Sequence, residues 1–485
     1  MRVFMSGATG FIGRALALRL RREGHAVCAW VRDEGRARSL LGAEVDLLST
    51  EAPGERLVET LGGCDAVVNL AGASVIGARW SAARKRELVE SRVGVTARLV
   101  EAMAEAGRPR TLVSASAVGF YGDRGDEALN EESDAGEGFL ARLCRDWEEA
   151  ARRAEARGVR VVRLRMGVVF GREGGALAKL LPPFRAGVGG RVGSGRQYAP
   201  WIHLHDVVEI LAAAVEDERL DGAVNAVAPE AVTNADLTRA LGRALHRWTP
   251  LPIPPIALRA AFGEGATTLV SSQRVVPGRL LEMGFRFRFP TLEGALADLV
   301  DGEAGAVEIG PTETSPVPSG MPRPRFRLRM EAVVLAPVEE VFSFFSAPEN
   351  LGAMTPPRMR FRIVDQPRLV GEGARIEYRI RMGPFDRSWR TRIEVWQPGA
   401  GFVDSQVSGP YRIWWHEHAF RSVPAGTHME DRVWYGFPLG WLGGAVQRLF
   451  VEPELRRIFT YRRDVIRLRF GMGDGPGRDE DQGRP

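Results

Sequence analysis

Apolar and polar positions keep one rhythm through the first 300 residues and another after residue 325. The chain opens with a short apolar run, Met1–Ser6, followed by a glycine-rich turn and the amphipathic stretch Arg14–Glu23. Short apolar runs recur at Ala26–Arg32, Glu44–Leu48, Ala66–Leu70, Thr111–Ser116 and Val159–Met166, each suited to a strand buried on both faces. Stretches with a helical period lie between them, chiefly Ser81–Ala106 and Gly138–Arg157. This alternation predicts an α/β domain with a doubly wound parallel sheet over residues 1–300. Residues 301–325, DGEAGAVEIGPTETSPVPSGMPRPR, have no apolar period and read as an extended linker. A period of two then takes over. Arg325–Leu335 alternates, Val338–Phe345 reads as a short helix, and strands follow at Arg358–Val364, Ala374–Met382, Ser388–Trp396, Gly401–Val407, Ile413–Val423 and Met429–Phe437. Helical segments fill Leu442–Phe470 with an interruption near Pro453. The expectation for residues 326–471 is an α+β domain, a curved antiparallel sheet gripping a long C-terminal helix around an apolar cavity. Residues 472–485 have little apolar surface to bury and are expected to be disordered.

The turn after the first strand carries the first candidate chemistry. It reads Gly7-Ala8-Thr9-Gly10-Phe11-Ile12-Gly13 and opens directly onto a helix. Gly7 suits the tight turn, Gly10 a close approach to a pyrophosphate, and Gly13 the packing of helix on strand, while the helix N-terminus offers free N–H groups. Thr9, Phe11 and Ile12 complete the predicted dinucleotide loop of a Rossmann sheet. At the end of the second strand Val31 stands where an NAD-binding acid belongs, with Arg32 beside it; Asp33, 20 residues beyond Gly13, is the alternative acid of an NAD site, and Arg32, the favoured reading, is the expected partner of the 2′-phosphate of NADP. Asn69, Ala71 and Gly72 follow the fourth strand and are expected beside the cofactor.

Composition narrows the setting. With 45% hydrophobic and 26% charged residues in 485, the chain is long enough for two or three cored domains. Its net charge of +5 comes with arginines scattered among acids and only two lysines, Lys85 and Lys179, so no nucleic-acid surface is expected. Cys28, Cys64 and Cys144 have no metal-ligand spacing, which suggests buried thiols in a reducing compartment. A strand starting at residue 2 leaves no signal peptide, and no apolar run has the length of a membrane span; a cytoplasmic location is expected.

Several motifs together resemble the extended short-chain dehydrogenase/reductase superfamily: SGATGFIG from Ser6, NLAGA from Asn69, SASAVGFYG from Ser114, RLRMGVVFGREGGAL from Arg163 and WIHLHDVV from Trp201. Arg79-Trp80, Phe139–Glu148 and Gly263–Leu296 are similar to its atypical epimerase-like branch of NADP-dependent oxidoreductases. The resemblance covers about residues 1–300 and implies NADP(H) as cofactor. One part of the superfamily pattern is missing, the Tyr and the Lys four residues on that lowers its pKa. The positions four before Lys85 and Lys179 are Ser81 and Gly175. On the helix where the pair belongs stand Phe139 or Leu140 and Leu143 or Cys144.

The resemblance leaves Ser116 as the candidate that polarises a substrate carbonyl, with Ser114 behind it. Tyr121 and Glu148 are weaker candidates, since Tyr121 matches a packing Tyr-Gly and Glu148 also suits the role of an arginine anchor. His203 and Asp206 read as a helix cap and its contacts, and Gln197, Trp201 and His203 as possible lining of a substrate pocket.

From Phe326 to Phe470 the chain resembles a second group, the START-like helix-grip proteins that include polyketide cyclase-like and coenzyme Q-binding members. The motifs are Pro337–Pro357, Phe402–Phe420 and Met429–Pro438. Six of the eleven tryptophans, Trp389, Trp396, Trp414, Trp415, Trp434 and Trp441, lie there, either as an aromatic core or as cavity lining. His416 and His418 alternate onto one strand face, but in surroundings read as free of carboxylates, so no metal site is expected. The leading expectation is an NADP(H)-dependent oxidoreductase whose second domain binds an apolar small molecule. The alternatives are a non-catalytic NADP(H) sensor or scaffold, and a lipid or quinone carrier on a regulatory Rossmann base.

Overall fold

The computed structural model describes all residues except 77–78, 250–251, 302–306, 313, 368, 384, 438–445 and 474–485. The chain divides into two compact units, residues 1–34 with 45–301 and residues 35–44 with 302–485.

The first unit is built on seven strands: β1 Arg2–Ser6, β2 Ala26–Val31, β3 Asp46–Ser49, β4 Ala66–Asn69, β5 Thr111–Ala117, β6 Arg160–Met166 and β7 Gly222–Ala226. Their order across the sheet is β7-β6-β5-β4-β1-β2-β3, and every neighbouring pair is parallel. The doubly wound parallel sheet expected from the apolar runs is therefore present. Its strands read as continuous apolar runs because both faces are covered; Val3, Phe4 and Met5 of β1 have no exposure at all. Helix α1, Phe11–Arg22, buries Leu16 and Leu20. The stretch Ser81–Ala106 is helical from Ala82 to Ala106 with a π turn at Glu90–Gly94, which leaves Arg92 and Thr96 both buried. Helix α2, Phe139–Arg152, ends where Glu155–Arg157 forms a separate 3₁₀ turn. All three cysteines are free and buried. Burial pushes the thiols of Cys28 and Cys144 up to about 12 and that of Cys64 to about 11.

The second unit holds an eight-stranded antiparallel sheet. Its strands are β8 Glu308–Pro311, β9 Phe326–Val334, β10 Arg362–Asp365, β11 Arg375–Met382, β12 Phe385–Gln397, β13 Gly401–Ser408, β14 Ile413–Val423 and β15 Gly426–Gly436, in the order β8-β9-β15-β14-β13-β12-β11-β10. Three expectations need correction. Part of the presumed linker is an edge strand, because Glu308–Pro311 pairs with Phe326–Arg329; an edge position tolerates the missing N–H of Pro311. Arg358 is not in a strand but in the 3₁₀ turn Pro357–Met359. Pro453 does not interrupt a helix. A π turn at Gln447–Val451 leads into the 19-residue helix α3, Glu452–Phe470, and Pro453 sits in its first turn, where no backbone N–H is required. Pro438, Trp441, the start of the expected helical segment at Leu442 and residues 474–485 of the expected tail lie outside the described residues.

Candidate functional site

At the end of β1 the chain turns at Gly7 with φ +69°, and a Cβ there would stand 2.6 Å from the backbone of Leu70. A Cβ on Gly13 would lie 2.2 Å from the Gly7 carbonyl oxygen. Both positions therefore exclude any side chain. Gly10 is different: it is exposed, and a Cβ would meet only the Gly7 oxygen, at 3.0 Å. Gly10 is the N-cap of α1, no side chain caps that end, and the first turn holds no acid. The turn thus presents N–H groups and a positive dipole end with neither an N-cap side chain nor a first-turn acid to neutralise them. Thr9 and Ile12 are half-buried in this loop. The Phe11 ring faces a glycine hairpin, where a Cβ on Gly171 or Gly174 would approach it to 2.4 or 2.3 Å.

The loop after β4 is tied down from below. Asn69 is fully buried; its Oδ1 accepts from Ser6 Oγ at 2.5 Å and its Nδ2 donates to Thr96 Oγ1 at 2.7 Å. Thr96 Oγ1 also accepts from Trp147 Nε1 at 3.0 Å. Asn69 therefore positions the loop, while the Ala71 N–H, 3.3 Å from Ser6 Oγ, and exposed Gly72 form its rim. Arg92, which sequence reasoning missed, donates to the Ala73 carbonyl at 2.9 Å, and its guanidinium would meet a Cβ on Gly72 at 3.1 Å. The only signal in the sequence was an arginine on the buried face of a periodic helix. Val31, buried, ends β2, and Arg32 follows it exposed to solvent.

Ser116 and Glu148 are brought together at the end of β5. The Ser116 hydroxyl donates to Glu148 Oε1 at 2.7 Å. Glu148 in turn accepts from Arg165 Nε and Nη2, both at 2.9 Å, with each side chain only 5% exposed. Burial opposes the Arg165 charge, but the paired bonds to Glu148 outweigh it and raise the guanidinium pKa. Arg165 Nη1 reaches Tyr121 OH at 3.0 Å, and that hydroxyl donates to Asn225 Oδ1 at 2.7 Å. Burial raises the phenol pKa, against the pull of Arg165. Ser114 is buried one pleat earlier, its hydroxyl 3.4 Å from the Ala115 carbonyl. On α2, Phe139 packs edge-on against Trp80 at 5.3 Å, and Leu143 and Cys144 are buried. Lys85 stands 5.0 Å over the Phe139 ring and pairs with Glu264 at 2.6 Å. The place of the missing Tyr/Lys pair is an apolar wall.

Trp201 and His203 are buried. Trp201 is 1% exposed and stacked on Phe170, and buried His203 accepts the His205 N–H through Nδ1, capping the helix Leu204–Glu216. Burial lowers the His203 pKa. Asp206 accepts the N–H groups of Arg288 and Phe289 at 2.8 and 3.0 Å. Gln197 donates to the Val192 carbonyl at 3.1 Å.

The second unit contains an internal cavity of about 140 Å³, walled by β11–β14, the segment 345–361 and α3. Trp389, Trp396 and Trp414 line it; Trp415 and Trp434 are buried as a cross-strand pair and are not part of its lining. Asp404, His416, His418 and Arg462 also line it. The expected carboxylate-free surroundings of the two histidines are therefore wrong: Asp404 lies opposite His416 on β13, and Asp431 opposite His418 on β15. Strand register, invisible in a linear reading, makes these neighbours. Burial, together with the charge of His418, lowers His416 to about 4, whereas for His418 the two carboxylates overcome burial and raise it.

The model of the NAD dependent epimerase/dehydratase family matches residues 3–226, and that of a domain of unknown function, DUF1731, residues 253–299. Epimerase family protein Mb2239 of Mycobacterium bovis is 45% identical over 295 residues, 61% of this chain and 96% of that protein. The chloroplastic SDR39U1 homolog of Arabidopsis thaliana, also an epimerase family protein, is 40% identical over 303 residues, 61% of this chain and 86% of its own. The crystal structure of human epimerase family protein SDR39U1, isoform 2, with NADPH shares 36% identity and a TM-score of 0.56, covering 62% of this chain and 99% of the human one. The chain therefore belongs, through its first unit, to the NAD dependent epimerase/dehydratase family.

Proposed function

We propose that this protein is an NADP(H)-dependent oxidoreductase of the atypical short-chain dehydrogenase/reductase kind, and that its second unit is a START-like helix-grip domain that holds an apolar small molecule. The observation that carries the cofactor reading is the cradle at Gly7, Gly10 and Gly13, where two positions exclude a side chain and the third is exposed at an uncapped helix start. The NADPH in the human relative's crystal structure supports the same cofactor. Backbone N–H groups from Thr9 to Gly13 would hold the pyrophosphate, Ala71 and Gly72 would flank the cofactor, and Arg32 would take the 2′-phosphate. NADPH supplies a hydride when bound. Because the Ser116 proton is directed to Glu148 and Tyr121 is committed to Asn225, the proton that completes a reduction comes from solvent or substrate. Free, buried thiols support a cytoplasmic setting.

The test is deuterium transfer. NADPH deuterated at C4 and a panel of quinones, enones and ketones are incubated with the full chain, and stereospecific label in a product is expected. A panel without transfer, together with an NADPH-dependent change in affinity for an apolar fluorophore, establishes the second reading, a non-catalytic sensor, which the occupied Ser116 hydroxyl favours. Arg32→Ala is expected to weaken NADPH about ten- to a hundredfold, the loss of one charge-assisted phosphate contact, and to leave NADH within twofold by calorimetry. Equal losses for both nucleotides would make Arg32 structural.

A further inference from the structure

The polar end of the cavity has the donor set of a metal site. One ligand atom each from Asp404, His416 and His418 lies within 4.8 Å of the other two. Asp404 Oδ2 stands 3.5 Å from His416 Nδ1 and 3.2 Å from His418 Nε2. Ligands bound at about 2.1 Å in a tetrahedron stand roughly 3.4 Å apart, so the two Asp404 separations already match such a site, and the two imidazole nitrogens, within 4.8 Å of each other, have the larger adjustment to make. The far nitrogens of both rings turn toward one carboxylate, Asp431: His418 Nδ1 is 2.7 Å and His416 Nε2 3.5 Å from its Oδ1. Asp431 is fully buried and its other oxygen accepts from Arg462 at 3.0 Å. His418 Nε2 is within hydrogen-bond distance of Asp404 Oδ2, at 3.2 Å, while His416 Nε2, His418 Nδ1 and Asp431 Oδ1 are buried and close together without being aligned as hydrogen bonds. As a metal centre the cluster is coherent, because a ligating histidine characteristically gives its second N–H to a buried carboxylate, which fixes the ring.

We propose that Asp404, His416 and His418 bind a divalent first-row transition metal, with Asp431 as the positioning carboxylate behind both histidines. Two imidazoles and one carboxylate suit zinc or ferrous iron and leave coordination positions vacant. All three ligands line the cavity, so those positions open onto a space walled by Trp389, Trp414, Phe402 and Phe459. A molecule with an apolar body and one carbonyl or phenolate oxygen would fit both. That last step rests on the apolar-ligand reading above; the metal site does not.

The full chain is treated with chelator, dialysed, and titrated with cobalt(II) and zinc(II) by calorimetry and visible absorption. One cobalt per chain with ligand-field bands, displaced by zinc, is expected. His416→Gln and His418→Gln should each weaken binding at least a hundredfold, and Asp431→Asn roughly ten- to a hundredfold, as for other carboxylates behind ligating histidines. If a histidine variant fails to fold by circular dichroism, Asp404→Asn, which keeps an oxygen facing His418, takes its place with the same expected loss. No stoichiometric cobalt in the wild-type chain overturns the proposal, as does binding that survives these substitutions in folded protein. Loss of apolar-ligand binding alone, with cobalt still bound, would overturn only the ligand reading.

Discussion

Gly10→Val is expected to abolish NADPH binding while the first unit stays folded. The exposed Cα of Gly10 begins the turn of α1 that faces the expected pyrophosphate, and a Cβ there meets only the Gly7 carbonyl oxygen, at 3.0 Å. A branched side chain therefore requires the Gly7 carbonyl to give by a few tenths of an ångström, far less than the same change at Gly13, but takes the space the phosphate must enter. Losing two charge-assisted bonds from backbone N–H groups, at about 1.5–3 kcal/mol each, weakens binding by roughly a hundredfold or more. Calorimetry with NADPH reads the affinity, and circular dichroism the fold. The same change at Gly13 should behave differently, because a Cβ 2.2 Å from the Gly7 oxygen must separate helix from strand and unfold the unit. Unchanged affinity in folded Gly10→Val protein would remove the cradle as the nucleotide site.

The largest stability effect is expected at Glu148. Its carboxylate accepts two bonds from Arg165 and one from Ser116, and both charged side chains are 5% exposed. In Glu148→Gln the Arg165 charge stays buried next to a neutral amide. Removing one partner of a buried ion pair costs about 3–5 kcal/mol. Two units on one chain need not unfold together, so the loss is best read in a transition specific to the first. The thiols provide it, since Cys28, Cys64 and Cys144 all belong to that unit and are buried. The urea concentration at which they become reactive should fall steeply in the variant. The double variant Glu148→Leu with Arg165→Met, which removes both charges, should recover a good part of the loss. A shift below about 1 kcal/mol for Glu148→Gln would mean that water reaches Arg165 and that the pair is not sealed as its burial indicates.

The interior of the first unit was legible along the chain because its chemistry is local. Short apolar runs can be buried on both faces only in a covered parallel sheet, and glycines at 7, 10 and 13 have steric reasons that concern residues close in sequence or at the next strand end. The missing Tyr/Lys pair was equally readable, as two lysines with the wrong neighbours. What the linear order does not carry is pairing across long separations. Glu308–Pro311 read as linker until β9 gave it an edge to join. Trp201 reads as pocket lining, and its stacking on Phe170 buries it, whereas His203 caps a helix as its place at a strand-to-helix junction suggests. Ser116 reads along the chain as a hydroxyl that polarises a substrate carbonyl, and only the approach of α2 to β5 shows that it donates to Glu148. The histidines of β14 are visible as a pair on one face, yet the carboxylates beside them come from β13 and β15, 12 and 13 residues away for the register partners Asp404–His416 and His418–Asp431. Period and turn chemistry belong to the sequence itself, since they act over a few residues. The company each polar side chain keeps in the interior is decided by tertiary register, because a buried charge or hydroxyl takes whichever partner the neighbouring strand or helix delivers.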